Sequence, residues 1–128
     1  MNPTYSLDPA HHVIHLQYHG ATTFESWAAT LEAALADPAC RDSFDVLVDR
    51  RGVDQVPTTE TLHQAVDFFD RHSTRLRRVA SVVESGAVYG MCRMLEVFSE
   101  RTRVEFRVFR TYDEAKAWLA NAPVHRVA

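Results

Sequence analysis

Two short runs constrain this chain more than anything else in it. Val46-Leu47-Val48 is apolar on successive residues and so, Ser81 apart, is the stretch Val79–Val83, where a strand with one wet face would be apolar on alternate ones. Runs rich in β-branched residues with no polar alternation belong to strands covered on both faces, the situation of a parallel sheet between helices. The residues between them are enough for a helical crossover, which parallel neighbours require. A layered α/β fold follows.

The other segments take their places around these strands. Thr4–Leu7 and Val13–His19 read as short strands joined around Asp8-Pro9-Ala10. In the second of them Ile14, Leu16 and Tyr18 alternate with His15, Gln17 and His19. Thr22 and Glu25 have capping-box spacing, and the helix they open carries Phe24, Trp27, Ala28, Leu31, Ala34 and Leu35 on one face until Asp37-Pro38 stops it. Helices are expected over Thr58–His72 and Ala87–Ser99, and a strand over Val104–Arg110. Thr111 and Glu114 repeat the capping spacing ahead of a last helix with Ala115, Trp118 and Leu119. The order is ββαβαβαβα: one mixed sheet, an N-terminal antiparallel hairpin with the remaining strands parallel, and about four helices. Residues 1–128 form a single domain, with 121–128 expected as a flexible tail.

Composition narrows the function classes. A net charge of -3 argues against a general nucleic-acid binder, which needs a basic face. Cys40 and Cys92 lack CxxC spacing and read as reduced thiols, with a disulfide or zinc pair as the alternative. The first twenty residues lack a signal-peptide pattern, and no apolar run approaches the ~18–20 residues of a membrane span. A cytoplasmic protein is expected.

In an open α/β sheet, ligands approach the carboxyl ends of the parallel strands. That rim is expected to carry Asp49 and Arg50, then Glu84 and Ser85, then Arg110 and Tyr112. Thr58 and Thr59 open a helix whose free amides suit an anion, although N-capping alone would explain a threonine there. The helix from Ala87 to Ser99 has few charges. Val88, Met91, Cys92 and Leu95 are enough to pack on the sheet, which leaves Tyr89, Met94 and Val97 pointing elsewhere. Three partners could cover that second stripe: a neighbouring helix, a second subunit, or an apolar ligand or membrane surface. In the last case Arg93 could meet an anionic head group.

Residues 44–62, FDVLVDRRGVDQVPTTETL, resemble the signature of the STAS superfamily, with Asp49, Gly52, Val53 and Val56 at the pattern's positions and Thr58 and Thr59 on its two serines. The segments RVASVVESGAVYGMCRMLEVFSE and VEFRVFRTYDEAKAWL look more like the SpoIIAA-like branch. The likeness spans roughly residues 5–120. It implies a fold shared with STAS and Sec14-like domains, and two kinds of partner: a phospholipid, or a protein that recognises and phosphorylates Thr58 or Thr59. Pro57 and Glu60 depart from the motif's Asp and Gly.

Other constellations are weaker. His11, His12, His15 and His19 cluster, but His15 and His19 on one strand face stand ~13 Å apart at a rise of roughly 3.3 Å per residue, so no metal site is expected. Arg71, Arg75, Arg77 and Arg78 read as a solvated helix C-terminus, with an anionic membrane contact as the alternative. No GxSxG, P-loop, GxGxxG or HExxH motif is present. The expectation is a non-enzymatic binding module without cofactor, using Val88, Tyr89, Met91 and Met94 for an amphipathic ligand. The runner-up is a regulatory protein-interaction domain.

Overall fold

The computed structural model describes residues 2–121; the expected tail from 122 onward lies outside the described residues. Strands β1 (Thr4–Asp8), β2 (Val13–Gln17), β3 (Phe44–Asp49), β4 (Leu76–Val82) and β5 (Glu105–Phe109) form one sheet in the order of the chain. β1 and β2 are antiparallel, and every other neighbouring pair is parallel. Helices α1 (Phe24–Ala36), α2 (Thr59–Arg71) and α3 (Gly86–Phe98) cover one face, hereafter the inner face. Helix α4 (Tyr112–Ala120) covers part of the outer face over β3 to β5. This is the expected ββαβαβαβα architecture.

Each helix starts on a hydroxyl cap. Thr23, Thr58, Ser85 and Thr111 accept from the backbone N–H three residues on, which satisfies an amide the helix itself cannot. The first cap is Thr23, bonded to Ser26, rather than the expected Thr22; Thr22 instead donates its backbone N–H to Gln55 Oε1 at 2.9 Å.

Strand alternation writes the inner face in rows. Ile14, Val46, Val79 and Phe106 lie side by side, and Leu16, Val48, Ser81 and Val108 form the row above. All but Ser81 are hydrocarbon, and all are buried. Trp27, Phe68, Phe69 and Phe106 link α1 and α2 to this floor through edge and stacked ring contacts 5.0–6.2 Å apart.

Of the basic run, Arg71 is an exposed residue in the last turn of α2, as expected, but Arg75, Arg77 and Arg78 are not part of a solvated helix end. β4 begins at Leu76, so Arg77 and Arg78 are strand residues. Arg75 donates to the carbonyls of Leu35, Cys40 and Asp42 at 2.8–3.0 Å. Arg78 is buried over the Trp118 ring, 4.5 Å from its centroid, and pairs with Glu105 at 3.1 Å. Each of these guanidiniums bridges several acceptors, which a lysine point charge does less well. Among the described residues no helix is long and apolar enough to cross a membrane, and no three His, Cys, Asp or Glu side chains come together.

Candidate functional site

Continuing the alternation one step beyond the strand ends adds a third inner row. Arg50 follows Val48 on the inner side, and its N–H pairs with Val82 O. Tyr18 follows Leu16, its N–H on Asp49 O, and the Arg50 guanidinium lies over the Tyr18 ring at 4.9 Å. Above these residues the loop from Arg51 to Pro57 crosses toward α2. Gly52 takes φ +82 there, a conformation costly to any residue with a Cβ, and its N–H donates to Glu84 Oε1 at 2.9 Å. Val53 packs on the core and Val56 stands exposed at the rim.

Beneath that loop is a cavity of about 140 Å³. Its floor is Val48, Val79, Ser81 and Phe106. Trp27 of α1, Leu62, Ala65 and Phe69 of α2, and Cys92 and Leu95 of α3 form the walls. Tyr18, Thr22, Arg50, Gln55 and Thr58 surround the mouth. Among the described residues Arg50 is the only charged one in the lining, and no His, Asp, Glu or Lys joins it. Burial pushes the Cys92 thiol up to about 11, so it is protonated at neutral pH. Burial also raises Tyr18, which keeps its phenol neutral.

Two polar atoms at the mouth have no hydrogen-bond partner among the described residues although they are buried: Arg50 Nε and Thr22 Oγ1. Gln55 connects the two residues. Its backbone carbonyl accepts from Arg50 Nη2 at 3.0 Å, and its side-chain oxygen accepts from the Thr22 N–H at 2.9 Å.

Of the residues singled out from sequence, Arg50 and Thr58 reach this cavity. Thr58 is the α2 cap, bonded to Thr61, and Thr59 is exposed in the first turn. Glu84 holds the Gly52 turn and Ser85 caps α3. Asp49, one residue before Arg50, faces the outer side and binds Arg51 through both carboxylate oxygens at 2.7–3.0 Å. Burial raises the Asp49 carboxyl, and the hydrogen bonds and charge of Arg51 outweigh this, leaving it below the usual range. Arg51 lies 5.0 Å from the centroid of Tyr112, and this pair borders a shallow polar cleft with Ser6, His15 and Gln17. Burial lowers the basicity of His15 in that cleft.

Helix α3 divides its stripes much as its sequence suggests. Val88, Cys92 and Leu95 are buried and Met91 is half-buried on the core. Tyr89 lies under the Arg110 guanidinium at 4.2 Å, Arg93 pairs with Glu96 at 2.9 Å, and Met94 and Val97 stay 39% and 61% exposed. Neither Val88, Tyr89, Met91, Arg93 nor Met94 lines the cavity, which takes Cys92 and Leu95 from this helix. Thr22, Gln55, Ser81 and the α2 wall were not legible as site residues. For Ser81 a signal existed: a lone hydroxyl inside the run Val79-Ala80-Ser81-Val82-Val83.

Taken together, the fold and site define a single-sheet α/β domain with an apolar cavity under one end of the parallel strands. The family model described as SpoIIAA-like matches residues 13–120, and the chain belongs to that family. Among solved structures it is similar to an uncharacterised protein of the DUF3478 family with a SpoIIAA-like fold from Shewanella loihica PV-4. The TM-score is 0.60 over 91% of each chain at 20% identity, a likeness of fold. No curated protein matches the chain.

Proposed function

We propose that this SpoIIAA-like domain is a non-enzymatic binding module that receives the apolar part of an amphipathic small molecule between α1, α2 and the inner face of the sheet. The observation that carries this reading is the lining itself: a largely apolar pocket with one guanidinium among the polar groups at its mouth. Such a pocket gives an apolar body a dry surface and its polar end an orientation. The absence of a carboxylate or imidazole from the lining, and a thiol held protonated, support binding over catalysis. A phospholipid is one amphipathic candidate, and about 140 Å³ accommodates only a short section of an acyl chain unless α1 and α2 separate.

Trp27 supplies the test. It lines the cavity, whereas the chain's second tryptophan, Trp118, packs on the outer face with Phe109. Occupancy should shift Trp27 emission, and Trp27→Phe should remove the response while Trp118→Phe leaves it. Native mass spectrometry after gentle purification would reveal a ligand carried along. Bare protein at the sequence mass, together with unmoved Trp27 emission across apolar compounds of varied size and charge, would refute the reading.

A protein-interaction role draws on other surfaces: exposed Thr59 at the start of α2, and the outward Met94 and Val97 of α3. Intact-mass analysis from the native host with no phosphorylated species under any growth condition would count against its kinase-controlled form.

A further inference from the structure

Whatever enters the cavity must satisfy its mouth as well as its walls. Buried polar atoms are rarely left without partners, and here two of them, Arg50 Nε and Thr22 Oγ1, flank the same Gln55. Both can donate. Arg50 also takes part in none of the ion pairs among the described residues, so its charge has no acidic neighbour to bind it. A cation and a hydroxyl presented together suit an anionic oxygen pair.

Charge and volume then narrow the class. With one cation and no lysine or histidine in the lining, a single negative charge is matched, and a phosphate dianion would leave charge uncompensated. A volume of about 140 Å³ is close to the roughly 150 Å³ of an apolar cavity known to accept benzene. Trp27, Phe69 and Phe106 offer ring edges and faces to such a body. The capped start of α2 need not be invoked, since the Thr58 hydroxyl already accepts from Thr61.

We infer that the cavity takes a small monocarboxylate with an apolar body about the size of a benzene ring or a six-carbon chain, its carboxylate on Arg50 Nε and Thr22 Oγ1. This rests on the amphipathic-ligand reading above and adds its charge and its size.

The test uses the whole chain with butanoate, hexanoate, benzoate, phenylacetate and decanoate, alongside neutral 1-hexanol and benzyl alcohol. Trp27 emission and the thermal midpoint report binding. Hexanoate or an aryl acid should bind at least tenfold tighter than the matching alcohol, and decanoate no tighter than hexanoate. Arg50→Gln should bring the acids down to the alcohols. Should that variant not fold, Thr22→Val gives an independent reading, because Thr22 holds Gln55 through its backbone and would lose only the hydroxyl. An unchanged affinity in folded Thr22→Val removes the hydroxyl from the site and overturns the assignment. Alcohols binding as well as acids, or decanoate several-fold tighter than hexanoate, would also overturn it while the amphipathic-ligand reading stands. If no acid or alcohol moves either signal, both fail and water alone serves these two groups.

Discussion

Ser81→Val is the most informative single substitution. Ser81 sits mid-strand in β4, 3% exposed, between Val48 and Val108 in a row that is otherwise hydrocarbon, and it faces the cavity. Valine replaces a hydroxyl with two methyl groups and fits a pleated, buried strand better than serine. At about 0.8 kcal/mol per buried carbon the gain approaches ~1.6 kcal/mol. In a filled core added methyls would cost about 1–3 kcal/mol, but here they enter the cavity, so an allowance of ~0.5 kcal/mol covers any crowding of Leu62 or Leu95. A net stabilisation of about 1 kcal/mol remains. With roughly 2.1 cal/mol/K of unfolding entropy per residue over 128 residues, the thermal midpoint should rise by about 4 °C. Urea unfolding should give the same sign with an unchanged slope. Ligand affinity should fall, because the added methyls occupy the cavity floor. A loss of 1 kcal/mol or more would refute the reasoning: it would mean that the site has no room for two carbons, or that the hydroxyl holds the fold together.

The remaining predictions address separate features. Arg75→Met removes donors to three carbonyls and should destabilise the chain by about 2–4 kcal/mol in urea unfolding, whereas a solvated arginine would change stability by less than ~0.5 kcal/mol. Gly52→Ala meets open space but keeps a φ of +82, so chemical denaturation should show a cost of about 1 kcal/mol from the backbone alone. Cys92 should resist maleimide at pH 8 in the folded protein. Because its folded value, about 11, lies above the ~8.5 of a free thiol, its contribution to stability is full below pH ~8.5 and is lost as pH rises toward 11; Cys92→Ser should lessen that alkaline decline. Asp49 carries the opposite sign. Its depressed value contributes stability above the ordinary carboxylate range near pH ~3.9 that is lost as pH falls below it, and Asp49→Asn should flatten the acid limb of a stability–pH profile.

Periodicity carried the fold. The apolar runs inside β3 and β4, the alternating β2 and the helix-length intervals left a single consistent architecture, and the family-like segments agreed with it. The site was legible only in part, for a physical reason. Asp49 and Arg50 are adjacent in sequence, so both belong to one rim, yet a strand sends consecutive side chains to opposite faces. Alternation extended from Val48 places Arg50 inside and Asp49 outside, a step that needs β3 to hold its geometry past its last ladder residue. The apolar excess of α3 is present in exposed Met94 and Val97 but lies apart from the cavity, because a helix stripe does not reveal which neighbour leaves a gap beside it. The arginines after α2 failed differently. A charge run looks solvated until the carbonyls it must satisfy, here from Leu35, Cys40 and Asp42, are folded against it.

Strands laid in chain order have a consequence for how such a domain acquires binding. Successive crossovers land on one side, and the sheet has no point where its winding reverses to open a crevice from backbone alone. Any hollow must therefore come from side-chain size, as it does where Ala65 and Ser81 stand among larger neighbours. Two or three substitutions there could fill, reshape or enlarge the chamber while every hydrogen bond of the ladder stays in place, so members of one fold could differ freely in what they hold.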